Sequence, residues 1–159
     1  MKTIVIGLGN PILGDDGVGW RVVQQVEKET RKQNQINNDS EIIFECLAVG
    51  GLTLMEHLIG YERAILVDAI TTANVPDGTV RTFPIERLPN LAIGHFSSAH
   101  DTTLQNAIVM GRKMGAKIPY HIDIVAIEAQ QIYEFSEELS DQVCQAIPKA
   151  VKTVKELLL

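Results

Sequence analysis

Cysteine is scarce: the 159 residues hold two, Cys46 and Cys144, far apart and in no C-x-x-C pair. That excludes a disulfide scaffold, and the expectation is two buried, inert thiols in a reducing cytoplasm. Long apolar runs are missing too. No segment approaches the roughly 18 consecutive apolar residues a membrane helix requires. Met1 to Ile6 is too short an apolar run for a signal peptide and leads to no small-residue cleavage site. Positive charge is in short supply, with 14 Lys and Arg against 20 Asp and Glu, a formal net charge of −6. Without basic runs, such a chain is a poor nucleic-acid or anionic-membrane binder. Repeats, linkers, low-complexity stretches and a G-x-S-x-G nucleophile elbow are likewise absent from the sequence.

What remains is ordinary for a globular protein, 45% hydrophobic and 21% charged. The length predicts one domain spanning 1–159, large enough to bury about 68–70% of its unfolded surface. Strand and helix patterns alternate along it. Thr3 to Leu8 reads as a buried strand ending in Gly7-Leu8-Gly9-Asn10-Pro11. Val18, Val22, Val23 and Val26 recur at helical spacing. Glu41 to Leu47 is a second strand, broken by Gly50 and Gly51, and Leu52 to Ile59 a short helix. Ala64 to Val67 is unbroken and apolar, as a central parallel strand covered on both faces must be, and Asp68 stands at its end. Pro76-Asp77-Gly78 turns the chain into an alternating segment, Thr79 to Phe83, read as an antiparallel edge strand. Pro84 to Ser97 reads as a long loop, and Ser98 with Asp101 as a capping box for a helix carrying Leu104, Ala107, Ile108 and Met114. His121 to Ile127 is a strand. Leu139, Val143, Ile147, Val151, Val154 and Leu158 line a last helix, which Pro148 should kink. The fold class is therefore α/β: a three-layer α/β/α sandwich with a mostly parallel twisted sheet of about five strands and one antiparallel edge strand.

Parallel sheets bind ligands at the carboxyl ends of their strands, so the strand ends carry the functional question. The first, Gly7 to Gly17, is glycine-rich, but Ile12 occupies the third glycine of a dinucleotide fingerprint and Asp15 the lysine of a P-loop. Asp15 and Asp16 would also repel a phosphate. Either fits an N-cap, and one cap is enough, which leaves a carboxylate over. The second strand end offers Asp68, costly to bury unless paired or ligated, or else an Asx turn residue. The third feature is His100, beside Ser98 and Asp101 at a predicted helix start, where the dipole discourages protonation and leaves an imidazole free to ligate or act as a base. Two carboxylates and an imidazole on one rim make a three-ligand divalent-metal site with open positions. His57 falls on a short helix, His121 starts a strand, and His95 sits in the long loop with no obvious partner, where it could line the same cleft; Glu128, after the last strand, reads as a solvated carboxylate on the same rim.

Ile6 to Gly19, with its Gly-Leu-Gly-Asn-Pro-Ile-Leu-Gly-Asp-Asp-Gly core, closely resembles the opening motif of the hydrogenase maturation proteases. Ala64-Ile65-Leu66-Val67-Asp68-Ala69 resembles the family's second acidic motif. Ser97-Ser98-Ala99-His100-Asp101 followed by Leu104 resembles its histidine motif, and Leu139 to Leu158 its C-terminal helix. The resemblance covers nearly the whole chain, in order.

It implies an endopeptidase that removes the C-terminal extension of a nickel-iron hydrogenase large-subunit precursor after nickel insertion. It makes Asp16, Asp68 and His100 the catalytic and metal-contacting set. The nickel would be supplied by the substrate, with no tightly bound metal of the protease's own. The precursor would be the partner, with neither nucleic acid nor membrane involved. One departure stands out: the family often has Asp-Gly-Gly-Thr after the second strand, where this chain has Val49-Gly50-Gly51-Leu52. Two other readings of the residues stay open, a non-enzymatic metal-binding or chaperone module on the same fold and a nucleotide-binding domain that the glycine pattern disfavours.

Overall fold

A computed structural model describes residues 1–33, 41–88, 103–130 and 134–159. Five strands form one sheet: β1 (Lys2–Leu8), β2 (Glu41–Leu47), β3 (Arg63–Ile70), β4 (Val80–Pro84) and β5 (His121–Glu128). Their order across the sheet is β2-β1-β3-β5-β4. All neighbours are parallel except β4, the antiparallel edge strand. Among the described residues four α-helices accompany them: α1 (Val18–Gln33), α2 (Gly51–His57), α3 (Leu104–Lys113) and α4 (Asp141–Leu158). The expected sandwich is the one observed.

Its layers follow from side-chain alternation along the central strands. Ile4, Ile6 and Leu8 of β1 with Leu66 of β3 point to one face, where they meet Leu54 and Leu58 of α2 and Leu104 and Ile108 of α3. Val5, Ile65, Val67 and Val125 point to the other, against Val18, Val22 and Val26 of α1 and Val143, Val151 and Val154 of α4. β1 and β3 are apolar on both faces because helices cover both. Isolated, a helix as short as α2 is marginal in water; Leu54, Met55 and Leu58 fix it by burial.

Several expectations need correction. β3 continues to Ile70, so Asp68 lies inside the strand rather than after it. Ser98 and Asp101 fall outside the described residues, and α3 is capped instead by Thr103, whose Oγ1 accepts the Asn106 N–H at 3.2 Å. Pro84 leads into a short 3-10 turn, Ile85–Arg87, anchored by buried Ile85. α4 carries Pro148 within its span, as expected. Of the two cysteines, Cys46 is half-buried and Cys144 exposed. Cys144 follows Val143 on α4, whose buried stripe of Val143, Ala146, Ala150, Val151 and Val154 leaves it facing solvent.

Candidate functional site

The chain runs from β1 through α1 to β2 on one side, and from β2 through α2 to β3 on the other. The chain leaving β1 heads for β2 at one edge of the sheet and the chain leaving β3 for β4 at the other, so a crevice opens between the carboxyl ends of these neighbouring strands. An open α/β sheet binds its ligands at such a point.

The loop after β1 is shaped by close backbone approaches. Gly9 has φ +130°, and a Cβ there would overlap the Asp16 carbonyl oxygen. A Cβ on Gly19 would overlap the carbonyl oxygens of Val67 and Leu8, so only glycine lets α1 start directly over β1 and β3. Between them Gly14–Gly17 forms a 3-10 turn packed against β3. Asp16 sits in that turn, half-buried, and its Oδ2 accepts the Asn10 N–H at 2.7 Å.

Asp15 does something else. Its Oδ1 accepts the Ser140 N–H at 2.7 Å and its Oδ2 the Ser140 hydroxyl at 2.8 Å. Ser140 is the N-cap of α4, so Asp15 fastens the loop to a distant helix start, where negative charge is favoured. The same segments are zipped by Gly14 N–H to the Ser136 carbonyl (2.7 Å) and Ser136 N–H to the Ile12 carbonyl (2.9 Å). The leftover carboxylate of the sequence reading is therefore Asp16.

Asp68 is 0% exposed. It pairs in register with Ala126 of β5, whereas β1 pairing stops one residue earlier, at Gly7 with Val67. By alternation it shares the face of Leu66 and Ile70, toward α2 and α3. Asp16 and Asp68 thus stand on the two loops and strands that border the crevice. His100 and His95 lie outside the described residues. His57 Nδ1 is 3.0 Å from Glu45 Oε2, a pair away from the crevice. His121 is exposed at the start of β5, the opposite end of the sheet. Among the described residues no three His, Cys, Asp or Glu side chains group as a metal site, so the ligand set predicted from sequence has two of its three members described.

Glu128 is not solvated. It is 1% exposed, and its carboxylate accepts the Thr72 and Ala73 N–H groups, the Thr72 hydroxyl and the Arg81 guanidinium. Sequence reading missed this cluster because its members lie on β3's exit loop, β4 and β5. An arginine within an edge strand otherwise patterned for half-burial was the signal available. Val49, in the position of the family's acidic residue, packs on the α2 and α3 core. Nucleophilic thiol chemistry finds no support at Cys46, whose thiol is pushed up to about 11 by burial and, secondarily, by Glu27.

A family model described as hydrogenase maturation protease matches residues 20–157. Asp68 and His100 fall within that match and Asp16 just before it. The hydrogenase expression/formation protein HoxM of Cupriavidus necator is 23% identical over 158 residues, spanning 98% of this chain and 73% of its own. Among solved structures, the hydrogenase maturating endopeptidase HybD from E. coli superposes with a TM-score of 0.75 at 22% identity, covering 99% of this chain and 92% of that one. The [NiFe] hydrogenase maturation protease HybD from Thermococcus kodakarensis gives 0.66 at 24% identity, covering 99% of both chains. At these identities the structural likeness carries the fold.

Proposed function

The chain belongs to the hydrogenase maturation protease family, a family of endopeptidases, and on that premise we propose that it removes the C-terminal extension of a nickel-iron hydrogenase large-subunit precursor once nickel has been inserted. The observation that carries the site is Asp68: a fully buried carboxylate at the crevice between β1 and β3, one residue beyond its last β1 neighbour. The carboxyl end of a central parallel strand is where an open α/β sheet binds its ligands. The task of Asp68 there is to meet a cation together with Asp16, whose turn packs on the same strand, and His100.

The nickel belongs to the substrate. Two carboxylates and one imidazole suit a divalent first-row metal but do not select nickel by themselves. Selection falls to the precursor's own centre, and the protease adds ligands when that centre is filled. Asp16, Asp68 and His100 would orient the loaded centre so that the scissile peptide lies beside it. A carboxylate or the imidazole not engaged as a ligand can accept the proton of the attacking water. Cleavage then becomes an irreversible checkpoint on metal insertion. No described helix is long and apolar enough to cross a membrane. The proposed reaction would put the chain beside its precursor in the cytoplasm.

The test is incubation of chelator-treated enzyme with apo and nickel-loaded precursor, followed by mass spectrometry. Cleavage of the loaded form alone is expected. Equal cleavage of both forms would reject the metal signal. Cleavage that appears only when free zinc is added to the enzyme would identify a metalloprotease with its own ion.

A further inference from the structure

Beyond Asp68 the sheet holds β3 from one side only. β1 offers register partners up to Val67, so among the described residues β5 is the one strand neighbour of Asp68, Ala69 and Ile70. Three links fasten that side. Ala129 N–H donates to the Ile70 carbonyl at 2.9 Å, and the Thr71 hydroxyl donates to the Ala129 carbonyl at 2.6 Å. The third is the Glu128 carboxylate, in register with Ile70 and therefore a diagonal neighbour of Asp68 on the same face.

That third link is built unusually. Oε1 of Glu128 accepts the Thr72 N–H at 2.6 Å and the Ala73 N–H at 2.9 Å. Oε2 accepts the Thr72 hydroxyl at 2.9 Å and Arg81 Nη2 at 2.7 Å, and the same Nη2 reaches Thr72 Oγ1 at 3.2 Å. Ala73 has φ 57°, the only non-glycine positive φ among the described residues. A left-handed alanine costs roughly 1–2 kcal/mol. It turns successive N–H groups toward one point, the concave arrangement that holds an anion. Here the anion is the protein's own carboxylate, buried and neutralised by an arginine. A buried pair of this kind is weak evidence for stability, and register and positioning are its better-attested uses. Arg81 also faces Ala126 across β4 and β5, the residue that faces Asp68 across β5 and β3, so the clamp spans the row in which Asp68 lies.

We propose that Glu128, completed by Arg81, is a positioning residue for Asp68: it locks the Thr71–Ala73 turn and so fixes the otherwise one-sided end of β3. This rests on the proposed role of Asp68 in cleavage. It predicts that loosening the clamp slows the chemical step without weakening precursor docking. Misplacing a catalytic group by a fraction of its contact distance is enough for large rate losses.

The experiment uses the full chain as wild type, Glu128→Gln and Arg81→Met. It measures kcat and KM on nickel-loaded precursor, thermal melting, and deuterium uptake by peptides. In Glu128→Gln the amide nitrogen faces the Arg81 donor and loses that bond, while the carbonyl still accepts the backbone N–H groups. Arg81→Met leaves the buried carboxylate on its backbone donors and provides a second folded variant. Both should lose on the order of tenfold to a hundredfold in kcat with KM within about twofold. Uptake should rise in the peptide spanning Ala69 to Ala73, not across the sheet. A folded Glu128→Gln with wild-type kcat overturns the proposal, as does a rise in KM that accounts for the loss, or uptake spread evenly over the chain. Should wild type itself leave loaded precursor uncut, the functional reading fails. The uptake pattern then still decides whether the clamp orders the end of β3.

Discussion

The two ends of the sheet treat charge in opposite ways. At the amino end, Lys2 pairs with Glu41 at 3.9 Å, the N-terminus with Glu62 at 3.8 Å, and Arg63 with Asp123 at 3.0 Å, all at least partly open to solvent. At the carboxyl end, Asp68 and Glu128 are 0% and 1% exposed. Charges in water tolerate loose geometry and are worth little. Charges removed from water demand partners, and removing one partner is expensive. The carboxyl end is therefore where side chains are held tightly enough to do chemistry. Asp68 and Glu128 also differ from each other. Glu128 is saturated by a loop and an arginine and reads as architecture. Asp68 borders the crevice.

The sharpest way to break this contrast is Asp68→Asn. The change keeps size and removes a charge. We expect precursor cleavage to fall by at least about a hundredfold, the scale of losing one preorganised electrostatic partner. Asp16→Asn and His100→Ala should act in the same direction. Retained folding is checked by circular dichroism, and wild-type processing by Asp68→Asn would remove the residue from the site. Stability should move by about 1 kcal/mol or less.

Next in size is Gly9→Ala. Its φ of +130° and the overlap of a Cβ with the Asp16 carbonyl leave the loop no room to keep its path. A loss of about 2–3 kcal/mol is expected, read from chemical denaturation. Cleavage should suffer as well, because Asp16 must shift with the displaced carbonyl. A glycine at the exposed amino end, Gly60, has nothing within 4 Å of such a Cβ and answers only to its φ of +90°.

How much of this was legible in the sequence follows from the range over which each feature is determined. The strands were readable because burial on both faces demands continuous apolar runs, as in Ala64 to Val67. The edge position of β4 was readable from its alternation and the Pro76-Asp77-Gly78 turn. Asp15 was not, since its partner Ser140 is 125 residues away and nothing local distinguishes a carboxylate that caps its own helix from one that caps another. Glu128 was misjudged for the same reason: its burial depends on Thr72, Ala73 and Arg81, which only the folded sheet assembles. Cys144 was misjudged because an apolar neighbourhood in sequence does not say which side of a helix a residue takes.

A smaller effect tests whether the carboxyl half of the edge strand β2 is as dry as the crevice. Cys46 lies opposite Gly7 of β1, with its thiol raised to about 11. Between the ordinary value near 9 and 11, the folded state holds this proton and the unfolded state releases it. Stability from this group is therefore full below about pH 9 and is lost as pH climbs through 11. After discounting for partial exposure, about 1 kcal/mol is at stake. The difference in stability between wild type and Cys46→Ala, followed by denaturation from pH 8 to 11, should shrink by that amount. A pH-independent difference would mean that Cys46 is wet.

The smallest effect belongs to the amino end and sets the baseline for the contrast. Arg63 Nη2 and Asp123 Oδ2 bridge β3 and β5 at 3.0 Å with about a quarter of each side chain exposed. They sit on the same two strands as Asp68 and Glu128, as a diagonal pair two residues out of register, toward the other end. If charge on these strands mattered equally at both ends, Arg63→Met and Asp123→Asn would impair cleavage. Solvent access argues otherwise: water replaces a lost partner there, and the strands are already held by the ladder and by buried Ala64, Leu66, Ile122 and Ile124. A double-mutant cycle should give a coupling of about 0.5–1 kcal/mol, falling as salt is raised. Precursor cleavage should stay at the wild-type rate in each variant. A coupling of several kcal/mol, or a loss of cleavage comparable to that of Glu128→Gln, would show that the tight coupling runs along the whole length of β3 and β5 rather than being confined to their carboxyl ends.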